Sequence, residues 1–218
     1  MVYNIYIAVL IICFICSLVS FKLNYAFHLK LFSVIIGITV VTEICANFLP
    51  GIFRLTNYPV YNIFTLIEYP LIAYYFKRII SSGTTKRLID FFLWLYPLFW
   101  LFTIIFIFGI SGWNSYVIMA GDLFTVCISA RYMYELFTSN RLISFKTCPE
   151  FWIAAATIFY FSCELPITGI LNYLVHHYIP LTLQLYTVLQ VLNIIMYSIY
   201  IYAFLCKTTL ITKSSYLS

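Results

Sequence analysis

Seven predominantly apolar stretches, at about residues 3–20, 29–49, 58–79, 88–110, 114–138, 151–175 and 181–206, divide the chain, with short polar or charged segments between them. This spacing constrains the fold more than any other feature. About 20 consecutive apolar residues make a helix that crosses the roughly 30 Å hydrocarbon core of a bilayer. The expectation is an all-α fold, a polytopic bundle of seven transmembrane helices forming one membrane domain over residues 1–218. Only 9% of the 218 residues are charged and 64% are hydrophobic, against about 25% charged in soluble domains. Seven spans would leave no length for a soluble catalytic or signalling domain.

The ends of the runs carry local signals. No basic residue precedes the first run, whereas a cleavable secretory signal needs a positive leading region, so this run is expected to stay attached. The second closes at Pro50-Gly51, two helix breakers together. SSGTTKR and SNRLISFKTCPE read as polar connections, residues 176–180 as a turn, and KTTLITKSSYLS as a tail too short to fold alone.

Positive charge in short loops collects on the cytoplasmic side. Lys22 and Lys30, then Lys77, Arg78, Lys86 and Arg87, then Arg141 and Lys146, then Lys207 and Lys213 all fall in one set of alternate loops, and the other set holds only Arg54. The expected orientation is N-terminus outside, C-terminus cytoplasmic. A formal charge of +5 arranged this way is topogenic and lipid-facing, and does not make the larger basic surface that nucleic acid requires.

Residues three and four apart share a helix face. Thr39, Glu43 and Asn47 align on the second run, and Tyr61, Thr65 and Glu68 on the third. Asp122, Thr125 and Ser129 align on the fifth, Thr157, Tyr160, Glu164, Thr168 and Asn172 on the sixth, and Tyr186, Gln190, Asn193, Tyr197 and Tyr200 on the seventh. The fourth has no such stripe; it carries Trp94 and Trp100, with Thr103 as its clear mid-span polar residue, and reads as a helix facing lipid. The contrast suggests a 3+1+3 parallel repeat: units 1–80 and 114–207 joined by a linker helix at 88–110. YNIFTLIE (61–68) then aligns with YTVLQVLN (186–193), each ending in a polar residue seven positions after a tyrosine. Sites in such repeats lie where the units meet.

Glu43, Glu68, Asp122 and Glu164 all sit within spans, where ionisable groups usually face the bundle interior. Arg131 is the one intramembrane positive charge, and one turn from Glu135 it reads as a local ion pair. Either the four acids serve as interhelical glue or they line a pocket. Pro70 and Pro166 free the carbonyls of Leu66 and Ser162 beside two of them, which either shapes the helices or favours a cation, a proton or a donor-rich ligand.

Several chemistries are not indicated. No lysine lies within a span to carry a retinal Schiff base. His28, His176 and His177 sit at span ends without the acid and histidine lattice of an intramembrane zinc hydrolase. Phosphate loops and nucleophile elbows are missing. The seven cysteines imply no disulfide framework, and Cys13 and Cys16 read as packing residues. No metal or cofactor is expected, and an enzyme is not the first expectation.

YNIFTLIEYPLIAYYF, PEFWIAAATIFYFSCELP and LQVLNIIMYSIYIYAFLCK together resemble an uncharacterised family of small seven-helix membrane proteins of Bacteroidota-type bacteria. The likeness is sharpest at Glu68, Asp122, the Phe151-Trp152 pair and Asn193; at 122 the family is expected to have Glu. This implies a bacterial inner-membrane location and no particular substrate. The 3+1+3 plan is similar to that of SWEET-type sugar transporters, without their Pro-Gln loop motif. The expected site is Glu43, Glu68, Asp122, Glu164, Gln190 and Asn193, binding a small polar or cationic solute for transport. The alternatives are a sensor or accessory subunit acting through a cytoplasmic partner, and an intramembrane lipid hydrolase. Besides the lipid bilayer, a protein partner or a second copy of the chain remains open.

Overall fold

The structure is a computed structural model describing residues 2–53, 56–139 and 145–215, the side chains of 49–53, 172, 176 and 207–215 aside. All its regular elements are helices: α1 (Val2–Ser17), α2 (Val19–Lys22), α3 (Phe27–Phe53), α4 (Tyr58–Ile79), α5 (Gly83–Thr103), α6 (Ser115–Thr138), α7 (Pro149–His177) and α8 (Ile179–Ser215), with a π turn at Ile104–Phe108 and a 3-10 turn at Phe145–Thr147. Five segments are long and apolar enough to cross a membrane: Val2–Lys22, Phe27–Phe48, Gly83–Phe108, Pro149–Leu171 and Ile179–Cys206. α4 and α6, with 22 and 24 residues, have the length but are less apolar than those five. Arg54 and Arg141, used above to orient the chain, lie outside the described residues, as does the side chain of Asn172.

Several ends differ from expectation. α3 runs through Pro50-Gly51 to Phe53; a proline in a final turn removes one backbone bond, not the helix. SSGTTKR is largely helical, because Ser82 caps α5 by accepting the Thr85 N–H at 3.3 Å, and the helix begins at Gly83. Only Tyr178 separates α7 from α8, where a five-residue turn was expected. Residues of the supposed tail continue α8 to Ser215.

α1 packs on α3, α3 on α4, α4 on α6, α6 on α7, α7 on α8, and α8 back on α1, which closes a ring of six. α5 stands outside it against α4 and α6. Its outer face is apolar and bare, with Trp94 80% and Phe106 72% exposed. The inner face is tied down: the Trp100 indole donates to the Asn62 carbonyl at 2.7 Å, and Thr103 accepts from the Asn114 amide at 2.8 Å. Asn62 in turn donates to the carbonyls of Ile110 and Gly112, holding the α5–α6 loop. Gly109 there has φ +68°, a conformation other residues adopt at a cost.

We call the end of the ring that bears the start of α1 the upper end. The lower end is filled. Phe32, Tyr75, Phe76, Tyr200 and Phe204 are buried, with Phe32 edge-on to Tyr200 at a centroid distance of 4.9 Å. His28 on α3 meets Glu150 on α7 at 2.7 Å, across the ring. Lys77 pairs with Asp90, and Arg131 with Glu135 at 3.3 Å as expected from their spacing. Glu135 also accepts the backbone N–H of Ser81 at 2.7 Å. Both partners of the His28–Glu150 contact are mostly buried, so removing one leaves the other unsatisfied, at a cost of about 1–3 kcal/mol. His28→Ala should therefore lower the thermal midpoint in detergent clearly more than Lys30→Ala, whose ammonium makes an exposed contact with Asn24; equal effects would show that the cross-ring contact adds nothing.

Candidate functional site

Above the aromatic plug the ring encloses a cavity of about 480 Å³. It reaches the upper end, where Tyr3, Asn57, Tyr58, Trp113 and Tyr186 line it, and descends to Tyr160, Met196 and Tyr197. Helical periodicity builds the walls. α4 contributes Tyr61, Phe64, Thr65 and Glu68, and α8 contributes Tyr186, Leu189, Gln190 and Asn193. Those are the same offsets in two segments, three, four and seven residues after a tyrosine, so each set forms one face.

Three carboxyl groups face this space, each in a different setting. Glu43 on α3 is 9% exposed and accepts from the Tyr6 hydroxyl at 2.9 Å and the Tyr61 hydroxyl at 3.3 Å. Glu164 on α7 lines the cavity one turn from Tyr160, whose hydroxyl accepts from the Asn193 amide at 3.0 Å. Glu68 on α4 lines the cavity without a hydrogen-bond partner among the described residues. Gln190 supplies a second amide to the wall. Among the described residues no lysine, arginine or histidine lines it, and Arg131 is turned to Glu135 and the Tyr134 ring at the lower end.

Five of the six residues singled out in the sequence, Glu43, Glu68, Glu164, Gln190 and Asn193, thus line one cavity. Asp122 does not. It is fully buried behind the wall, where its Oδ1 accepts from the Tyr69 hydroxyl at 2.5 Å, and the Tyr69 ring is itself part of the lining. The separation follows from Gly121. A Cβ at that position would lie 2.6 Å from Tyr69 ring atoms, so only glycine lets the ring lie flat on α6 and carry its hydroxyl past the helix face. Among the other stripe residues, Thr39 and Thr65 line the cavity, Thr157 bonds Tyr200 at 2.9 Å below it, and Asn47 is exposed away from it.

The aromatic share of the lining was missed. Tyr3, Tyr6, Tyr58, Tyr69 and Trp113 join the cavity, and the usable signal was the abundance of tyrosine, 20 in the chain, with Tyr3 and Tyr6 one turn apart on an otherwise apolar helix. Among the described residues no group of histidine, cysteine and acidic side chains could hold a metal ion, and the seven cysteines are free.

The fold and the five long apolar helices are compatible with an integral, multi-pass membrane protein. No family model, curated protein or solved structure matches the chain.

Proposed function

We propose that this protein crosses the bacterial inner membrane seven times, with its N-terminus outside, and binds a small organic cation in the central cavity for transport. The observation that carries the reading is the make-up of the walls. Three carboxyl groups and eight tyrosines line the cavity together with Trp113, without a basic side chain among the described residues. Aromatic faces attract ammonium groups through the ring quadrupole, by about 0.5–2 kcal/mol each, and carboxylates supply the countercharge. The same lining would repel an anion.

Seven spans rather than five are supported by α4 and α6, which at 22 and 24 residues are each about 33–36 Å long at 1.5 Å per residue. They carry their charges where a bundle tolerates them, inside the ring or at the lower end. In this orientation the cavity opens outward, and the aromatic plug with His28–Glu150 closes the cytoplasmic side. The matched faces of α4 and α8, and the position of α5 outside the ring, favour the parallel 3+1+3 plan, in which α1–α3–α4 would rock against α6–α7–α8.

The test uses tetramethylammonium chloride and its neutral near-isostere tert-butanol, titrated into the purified protein with Trp113 fluorescence and calorimetry as readouts. The cation should bind at least about tenfold more tightly, a difference of about 1.4 kcal/mol. Equal affinities would remove the electrostatic reason for the assignment. Flux of the bound cation into proteoliposomes separates transport from the sensor reading, in which binding occurs without flux and a stoichiometric partner copurifies in mild detergent. Turnover of membrane lipid by the purified chain would favour the hydrolase reading instead.

A further inference from the structure

Asp122 is the one buried acid that faces no cavity. Its Oδ1 is held by Tyr69, and its Oδ2 has no hydrogen-bond partner among the described residues. One turn on, on the same face of α6, Thr125 Oγ1 is likewise buried and unpartnered. The ionisable groups facing Asp122 from the helices packed on α6 are Glu68 and Tyr69 of α4, Tyr96 of α5 and Glu164 of α7. Not one of them brings a positive charge. An ionised carboxylate there would have neither solvent nor a counterion among the described residues, a state that is strongly disfavoured. Glu68 and Glu164 both border the cavity and both act electrostatically on Asp122. A cation seated between them is the missing positive charge.

We propose that Asp122 and Tyr69 form a proton-exchange site behind the cavity wall, through which entry of a cation drives release of a proton, making the protein a cation–proton exchanger. The proposal rests on the cation reading of the cavity and adds a second site to it. Tyr69 belongs to the cavity lining, and its hydroxyl reaches Asp122. In the releasing step the O–H bond of the Asp122 carboxyl breaks and its electron pair stays on the carboxylate. The Tyr69 hydroxyl, rotated about its C–O bond, accepts that proton as it gives its own to a water that reaches it from the cavity. One monovalent cation enters for one proton leaving, so the buried charge is unchanged. Reversal reloads Asp122 when the cation departs.

The test takes the full-length protein in lipid nanodiscs. Infrared difference spectra across a pH step should show a deuterium-sensitive carboxylic C=O band that is lost in Asp122→Asn, kept in Glu135→Gln and shifted in Tyr69→Phe. Tetramethylammonium chloride added at constant pH should bleach the same band, and a pH dye in unbuffered medium should record one proton per cation bound. Tyr69→Phe keeps the ring on Gly121 and covers the case in which Asp122→Asn fails to fold. Removing its hydroxyl should slow proton release by about 100-fold, the lower range for a positioned acid–base group. A band that survives Asp122→Asn, an unaltered release rate in Tyr69→Phe, or cation binding without proton release overturns the exchange site alone. Absence of any tetramethylammonium binding to the wild-type protein overturns the cation reading and the coupling together, and the pH-step spectra still report whether Asp122 exchanges its proton.

Discussion

Glu68→Gln weakens tetramethylammonium binding by about 30-fold, and Glu43→Gln weakens it distinctly less. The expectation follows from what already surrounds each carboxyl group. Glu43 is engaged by two tyrosine hydroxyls, which spread its charge and hold it near the α1–α3–α4 wall. Glu68 stands in the cavity lining without a hydrogen-bond partner among the described residues, so its interaction with a bound cation is offset by the loss of no bond to them. Tetramethylammonium has no N–H to donate, so the contact is Coulombic: about 3 kcal/mol across about 5 Å at an effective dielectric constant of about 20, less the lost hydration, leaves about 2 kcal/mol, which corresponds to the factor given. Calorimetric titration of the two variants decides it. If Glu43→Gln is the more damaging, the cation sits nearer the mouth and the role assigned to Glu68 is wrong.

Gly121→Ala produces the second large effect, a loss of about 1–3 kcal/mol in stability, and Gly121→Val a greater one. Alanine in a helix interior is normally favoured over glycine by up to about 1 kcal/mol, so the sign must be worked out. The added methyl would fall 2.6 Å from Cγ and Cδ1 of Tyr69 and 2.7 Å from Cδ2, at the root of a ring that is 2% exposed. A phenol packed that tightly cannot swing aside at its far end alone, and overpacking outweighs the propensity gain. The ring is displaced and its bond to Asp122 goes with it. Gly83→Ala provides the control, since nothing lies within 4 Å of the added carbon there. Thermal unfolding in detergent should show a lowered midpoint for Gly121→Ala and none for Gly83→Ala; matching midpoints would mean that α4 and α6 part easily.

The sequence carried the elements well where one periodicity governs a long segment. α4 was expected at residues 58–79 and spans Tyr58–Ile79, because Asn57 and Pro59 mark its start and the apolar run ends at Lys77-Arg78. Polar side chains at spacings of three and four also showed which residues share a face, hence the convergence of Glu43, Glu68, Glu164, Gln190 and Asn193. Periodicity speaks only of one helix at a time. Rotation about the axis is set by neighbours, and so Asp122 could not be told from the cavity acids until Tyr69 was seen between them. His28–Glu150 joins residues 122 positions apart, and nothing local to either announces the other. Helix ends failed for a simpler reason: Pro50-Gly51 reads as a stop, SSGTTKR as a polar connection and 176–180 as a turn, but Pro50, Ser82 and Pro180 each sit in an end turn where a missing or competing bond is tolerated.

One property of the lining reaches beyond any single contact. Glu43 and Asp122, the carboxyl groups among the four that are hydrogen-bonded by a described side chain, are met by phenols, not by amines or guanidines. A phenolic O–H can rotate to give a hydrogen bond to a carboxylate or to take one from a carboxylic acid, so the interior tolerates either protonation state without moving a backbone or unmasking a competing ammonium. A vestibule lined in this way is rewritable in charge while fixed in shape.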